Sequence, residues 1–209
     1  MIILSHRGLW HSLPERNKRE SFIESFNAGF GTETDLRDIC GKIVISHDMP
    51  NGDEITFEEV LQIMDGRNLP LALNIKADGQ ATVILELLKK YNHTNYFTFD
   101  MSVPDMIVQI ENGLDVFTGQ SDVIPQPILL NKCRGVWLDA FNSDWYDSER
   151  LDEIVKASGR VCIVSADLHK RDTEYQWEQI KKSQSFNNDN LMLCTDKPLA
   201  AKEYFYGEN

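Results

Sequence analysis

Positive charge is what the chain most lacks. Its 209 residues hold 21 basic and 33 acidic side chains, a net charge of −12. Such a surface repels nucleic acid, and the densest basic stretch (Arg16, Lys18, Arg19) is too short to reverse that. It also disfavours docking on anionic membranes. Apolar runs are short as well. None reaches the roughly 20 residues that span a bilayer, so stable membrane insertion is not expected. The opening Met-Ile-Ile-Leu-Ser-His, with no basic segment before it, is not expected to be a signal peptide. The four cysteines, Cys40, Cys133, Cys162 and Cys194, form no C-x-x-C pair; buried thiols in a reducing cytoplasm are expected rather than disulfides or a zinc site. Glycine-rich phosphate loops and internal repeats are also missing.

What is present is alternation. Strand-like apolar runs stand at 2–5, 31–36, 42–46, 69–75, 96–99, 115–119, 135–138, 160–165 and 190–194. Most are continuous rather than alternating, as strands covered on both faces are. Helical patterns lie between them. Phe57, Val60, Leu61 and Met64 share a face behind a Thr56/Glu59 capping box. Val83, Ile84, Leu87, Leu88 and Tyr91 form a second face, and further helices are expected at 103–112, 147–157, 173–182 and 199–205. Strand and helix in succession imply a parallel sheet with right-handed crossovers. With a β-hairpin-like insertion after the second strand (36–46, turning at Gly41-Lys42), about eight strands remain. The expected fold is therefore α/β, a (β/α)8 TIM barrel forming one domain over 1–209. A doubly wound sheet is the alternative. Residues 121–134, with two prolines, read as a loop where a crossover helix would stand.

Polar residues gather at strand C-terminal ends, where such a fold builds its site: His6 and Arg7, Glu33 and Asp35, His47 and Asp48, Asn74 and Lys76, then Asp100, Gln120, Asp139, Asp167 and Thr195-Asp196. Glu33 and Asp35, two apart on a strand, project to one face. Their mutual repulsion and desolvation are relieved by a hard divalent cation. His6 and His47 suit acid–base chemistry near neutral pH. Arg7 offers a planar fork for phosphate oxygens and Lys76 a point charge. His11, His93 and His169 are assigned no role. Trp10, Trp137, Trp145 and Trp177 read as core or lining residues, Trp10 nearest the site.

In this order the residues resemble the glycerophosphodiester phosphodiesterase family. His6-Arg7-Gly8 is similar to its opening His-Arg-Gly, and Pro14-Glu15-Arg16-Asn17 to its Pro-Glu-Asn with one extra residue. Gly31-Thr32-Glu33-Thr34-Asp35 resembles its Gly-x-Glu-x-Asp, and Val44-Ile45-Ser46-His47-Asp48 its Val-x-x-His-Asp. Thr98-Phe99-Asp100 and Thr195-Asp196-Lys197-Pro198 carry the likeness to the end of the chain. The resemblance implies a (β/α)8 barrel that hydrolyses glycerophosphodiesters to glycerol 3-phosphate and an alcohol. His6 and His47 would be the acid–base pair, Arg7 and Lys76 phosphate ligands, and Glu33 and Asp35 ligands of Mg²⁺ or Ca²⁺. The family's Glu-x-Lys is here Asn74-Ile75-Lys76, so the third metal ligand would be an uncharged amide, with Asp100 or Asp139 available to compensate. The partner expected is a small phosphodiester or a phosphate-containing envelope polymer; a barrel that binds phosphate esters without turnover is the non-enzymatic alternative. Nothing in the sequence indicates an oligomeric state.

Overall fold

The computed structural model of the chain describes residues 1–207. In chain order they form β1 (Ile2–His6), α1 (Arg19–Asn27), β2 (Gly31–Ile39), β3 (Lys42–Ile45), α2 (Phe57–Met64), β4 (Leu71–Ile75), α3 (Ala81–Lys90), β5 (Tyr96–Phe99), α4 (Val103–Glu111), β6 (Phe117–Gln120), β7 (Gly135–Leu138), α5 (Ser148–Ser158), β8 (Val161–Val164), α6 (Glu174–Lys182), β9 (Leu191–Thr195) and α7 (Pro198–Tyr206). No described helix is long and apolar enough to cross a membrane. The residues fall into two compact units, Ser5–Val116 and Met1–Leu4 with the chain from Phe117 onward.

In the Ser5–Val116 unit the strand order is β5-β4-β2. β2 and β4 pair in parallel with Asp35 opposite Asn74, and β4 and β5 with Asn74 opposite Phe99. β3 pairs antiparallel with β2, from Leu36↔Ile45 to Ile39↔Lys42. The hairpin therefore turns at Cys40-Gly41 rather than Gly41-Lys42. Both turn residues have positive φ (49° and 78°), the conformation a two-residue turn needs to match strand twist. The Thr56/Glu59 capping box forms as expected: Thr56 Oγ1 accepts the Glu59 amide proton and the Glu59 carboxylate accepts that of Thr56. Phe22, Phe26, Phe57, Phe97, Phe99 and Leu36 are fully or almost fully buried here, each contributing about 1.5–3 kcal/mol.

Helix α1 is absent from the sequence expectation. It buries Phe22 and Phe26 but also Ser21 and Ser25, and the Ser25 hydroxyl lies 2.7 Å from that of Ser5. Serines in the buried face erase the apolar stripe by which such a helix is read.

His93, just after α3, is buried, and its Nε2–H donates to the Asn95 carbonyl at 3.1 Å. Burial lowers its imidazole from the ordinary 6.5. The native state thus keeps His93 neutral while the unfolded chain protonates it below about pH 6.5. Stability from this site is fully present above that pH and lost as pH falls. The Tm difference between pH 7.5 and 5.5 is expected to be smaller in His93→Gln than in the parent chain; an unchanged difference counts against the assignment.

In the other unit the order is β1-β9-β8-β7-β6, with parallel pairing of β6 to β7, β7 to β8 and β8 to β9. The last strand beside the first is the winding of a (β/α)8 barrel, not of a doubly wound sheet, whose order reverses from its first strand. Between β6 and β7 only one 3-10 turn stands, Leu130–Lys132, so this crossover is the expected loop.

Candidate functional site

His6, Arg7, Glu33, Asp35, His47, Asn74 and Lys76, the residues given roles from sequence, lie in the Ser5–Val116 unit, whereas the strand-end residues Gln120, Asp139, Asp167, Thr195 and Asp196 do not. Gly31–Leu36 is buried throughout, so the alternation of β2 sends Glu33 and Asp35 to one face with no water to hydrate them. Asp35 is fully buried among counter-charges and donors: Arg7 Nε at 2.8 Å, Lys76 Nζ at 3.4 Å and the Asn17 side-chain amide at 2.9 Å. Asn17 is in turn held by Thr34, whose hydroxyl donates to Asn17 Oδ1 at 3.0 Å. Glu33 lies 3.6 Å from the His6 Nε2, an ion-pair distance too long for a hydrogen bond. Burial pushes the Glu33 carboxyl well above its ordinary range, reinforced by the charges of Asp35 and Asp100 and opposed by Arg7 and Lys76.

Asn74 joins the cluster through register, opposite Asp35, and its amide donates to Asp100 Oδ2 at 3.3 Å. That contact makes Asp100, at the end of β5, a member of the site. Three oxygens here are buried without any hydrogen bond: Glu33 Oε2, Asp35 Oδ1 and Asn74 Oδ1. Two carboxylates and an amide carbonyl are hard oxygen donors, and the donor set fits Mg²⁺ or Ca²⁺. Among the described residues no three His, Cys, Asp or Glu side chains come together at metal-holding spacing; the third oxygen of this set is the amide carbonyl of Asn74.

The His-Arg-Gly loop is built by backbone strain. Arg7 has φ of 62° and Asp100, at the end of β5, has 64°, left-handed values that seven further described non-glycine residues share, Cys40 of the hairpin turn among them, and that cost a non-glycine residue about 1–3 kcal/mol. Gly8 has φ of 85°, and a Cβ there would lie 2.5 Å from Ser21 Oγ and 2.8 Å from the Ser21 backbone carbon. Its amide donates to Thr32 Oγ1 at 2.9 Å, so loop, helix α1 and strand β2 meet at this residue. Gly8→Ala is expected to cost about 1–3 kcal/mol from the left-handed backbone alone, more with the overlap on Ser21; a chemical melt within 0.5 kcal/mol of the parent, roughly the neutral range for substitutions, would contradict the packing described.

His47 is placed differently from the other residues. It stands after β3 with about half its side chain exposed (51 %), its Nδ1 2.9 Å from Asp48 Oδ1. It lines a cleft of about 350 Å³ with Arg7, Arg16, Asn17 and Lys18. Arg7 is thus shared by the buried carboxylates and the open cleft, while His6 sits by Glu33 and His47 on the cleft wall. Trp10 is not core: its indole N–H donates to the His6 carbonyl at 2.9 Å and its ring carries the Arg16 guanidinium 4.3 Å from its centre. Asn17 and Arg16 were given no role from sequence; their place in the Pro-Glu-Arg-Asn segment was the available signal.

In the other unit, the strand-end residues make contacts of their own. Asp139 accepts from the His169 Nε2–H at 2.6 Å and from the Ala140 amide at 2.7 Å. His169, given no role from sequence, is therefore engaged with a carboxylate. Asp167 accepts from the Thr195 hydroxyl at 3.0 Å and the Asp196 amide at 2.8 Å, a latch between the β8 and β9 ends.

No family model and no curated protein sequence matches the chain. Solved structures do. The chain is similar to a glycerophosphodiester phosphodiesterase from Agrobacterium tumefaciens str. C58, with a TM-score of 0.70 and 14 % identity over 96 % of this chain and 98 % of that one. It is equally similar to an Oleispira antarctica phosphodiesterase solved in complex with the product sn-glycerol-3-phosphate, with a TM-score of 0.70 and 13 % identity over 97 % and 96 % of the two chains. At this identity the likeness establishes the fold, a (β/α)8 barrel with β3 appended to β2.

Proposed function

We propose that the chain is a divalent-cation-dependent phosphodiesterase that hydrolyses glycerophosphodiesters, in the cytoplasm, to glycerol 3-phosphate and an alcohol. The observation that carries this reading is the set of three hydrogen-bond-free buried oxygens on Glu33, Asp35 and Asn74, flanked by Arg7 and Lys76. The phosphodiesterase titles of the similar structures support it.

Glu33, Asp35 and Asn74 would hold Mg²⁺ or Ca²⁺, which when bound supplies positive charge to the phosphate oxygens. Arg7 and Lys76 add two further positive charges for the oxygens on which charge grows in the transition state. Arg7 reaches the cleft and is fixed at its base by Asp35, so it needs little reorganisation on binding. One of His6 and His47 takes the proton of the attacking hydroxyl or water; the other gives a proton to the departing alcohol oxygen as the P–O bond breaks. The exposed imidazole of His47 exchanges protons with solvent directly, whereas His6 is screened and faces Glu33.

The test is release of glycerol 3-phosphate from glycerophosphoglycerol and glycerophosphocholine, with Mg²⁺, with Ca²⁺ and with a chelator. Turnover abolished by the chelator and restored by either ion supports the reading; no turnover on either diester with either ion overturns it.

A further inference from the structure

Asn74 differs from Glu33 and Asp35 in one respect. A carboxylate presents oxygen whichever way it turns, whereas an amide has an oxygen at one end and an NH2 group at the other. Only the oxygen ligates a hard cation; the N–H groups repel it. Which end of Asn74 faces the two carboxylates therefore decides whether it belongs to a cation site at all.

Left to these neighbours, the amide would turn the wrong way. Glu33 Oε2 and Asp35 Oδ1 are buried and accept no hydrogen bond, and buried carboxylate oxygens draw N–H donors. The observed arrangement is the opposite one. β4 lies between β5 and β2, with Asn74 beside Phe99 on one side and Asp35 on the other. Asn74 Nδ2 donates toward β5, to Asp100 Oδ2 at 3.3 Å, and Asn74 Oδ1 stays buried without a hydrogen bond. Three oxygens thus remain unsatisfied although turning one amide over would bring N–H groups to their side. Asp100 is the contact that opposes that turn. Its own place is fixed by the chain that follows: Met101 is buried, the Ser102 amide donates to Asp78 Oδ1 at 3.2 Å, and buried Asp105 accepts the Gly79 amide at 2.9 Å. These two bonds run in opposite directions between the loops after β4 and β5, so Asp100 is braced against the loop that continues from Asn74's own strand.

We propose that Asp100 is a positioning residue for the cation site: by accepting the Asn74 N–H it turns the Asn74 carbonyl oxygen toward Glu33 and Asp35, where a divalent cation takes it as a ligand. This rests on the reading of those three oxygens as a cation site. A partner that holds a metal ligand in the right orientation acts on affinity without touching the metal, and an amide ligand, having unlike ends, depends on such a partner where a carboxylate does not.

The test is calorimetric titration with CaCl2 and with MgCl2, without substrate, over a double-mutant cycle. Glycine adopts the left-handed backbone of position 100 and carries no acceptor, so Asp100→Gly removes the steering contact without backbone strain. It is expected to weaken cation binding by about 10–100-fold, the range for partners that orient a metal ligand. Asp100→Asn, which loses the charge but keeps an acceptor oxygen, should lose less than the glycine variant. Asn74→Asp puts oxygen at both ends of residue 74. In that background the loss caused by Asp100→Gly should shrink by at least about threefold, beyond the scatter of uncoupled sites. A smaller change between backgrounds is what a bare negative charge or direct ligation by Asp100 would give, and it overturns the proposal, as does parent-like affinity in Asp100→Gly. Melts of each variant show which are folded; should Asp100→Gly not fold, the Asp100→Asn loss is compared in the two backgrounds against the same criterion. If the parent chain binds neither ion, the cation reading and the proposal fall together. Binding by the parent with no loss in Asp100→Gly fells the proposal alone.

Discussion

Alanine at His6 is expected to lower the kcat for glycerophosphodiester hydrolysis by on the order of 10²–10⁴, and alanine at His47 by a similar factor. The two losses have different physical routes. His6 is mostly buried and faces the Glu33 carboxyl at 3.6 Å, so its removal also opens space beside a carboxyl already destabilised by burial. His47 is half-exposed on the cleft wall and braced by Asp48; its removal leaves the buried cluster untouched. The His47→Ala variant should therefore melt like the parent while losing activity, and its KM should change less than its kcat. Stopped assays of glycerol 3-phosphate release, with Tm measured on the same preparations, check both. If either variant retains activity within about threefold, a quantity well below the range for general acid–base catalysis, that histidine is not one of the pair.

The second large effect is on stability. Asp35→Ala is expected to cost about 3–5 kcal/mol, the range for removing one partner of a buried ion pair. Asp35 is fully buried, Arg7 and Lys76 are mostly so, and no other carboxylate is within ion-pair distance of either among the pairs described. Taking the carboxylate away leaves two cations and the Asn17 amide facing a void. Removing Asp48, almost wholly exposed beside His47, should by contrast have no measurable effect on unfolding. Denaturant melts of the two variants decide the matter: an Asp35→Ala loss below about 1 kcal/mol, the scale of a surface pair, would mean that the Arg7–Asp35–Lys76 cluster is held apart by water rather than by direct contact.

Much of this site was legible before any coordinates. Glu33 and Asp35 share a face because strands alternate. The Thr56/Glu59 box, the strand–helix alternation and the helix-free 121–134 segment depend on local backbone preference, which sequence carries directly. What escaped depends on contacts between distant segments. Helix α1 hides because its packed face uses serines to reach Ser5 and the His-Arg-Gly loop. The hairpin turn moved by one residue because Cys40 adopts a positive φ that pattern alone does not assign to cysteine.

By itself, then, the sequence determined the order of the strands, the single-faced carboxylate pair and the identity of the charged groups at the strand ends. Tertiary structure decided which of those charges meet. Parallel register put Asn74 opposite Asp35 and drew Asp100 to it; the fold-back of the first loop brought Asn17 onto Asp35 and Arg16 onto Trp10; and His47 came to rest on an open wall rather than in the buried cluster. Periodicity is a property of neighbours along the chain, whereas the ion pairs of Asp35 with Arg7 and Lys76 join residues 28 and 41 positions apart, which only the folded arrangement brings within a few ångströms.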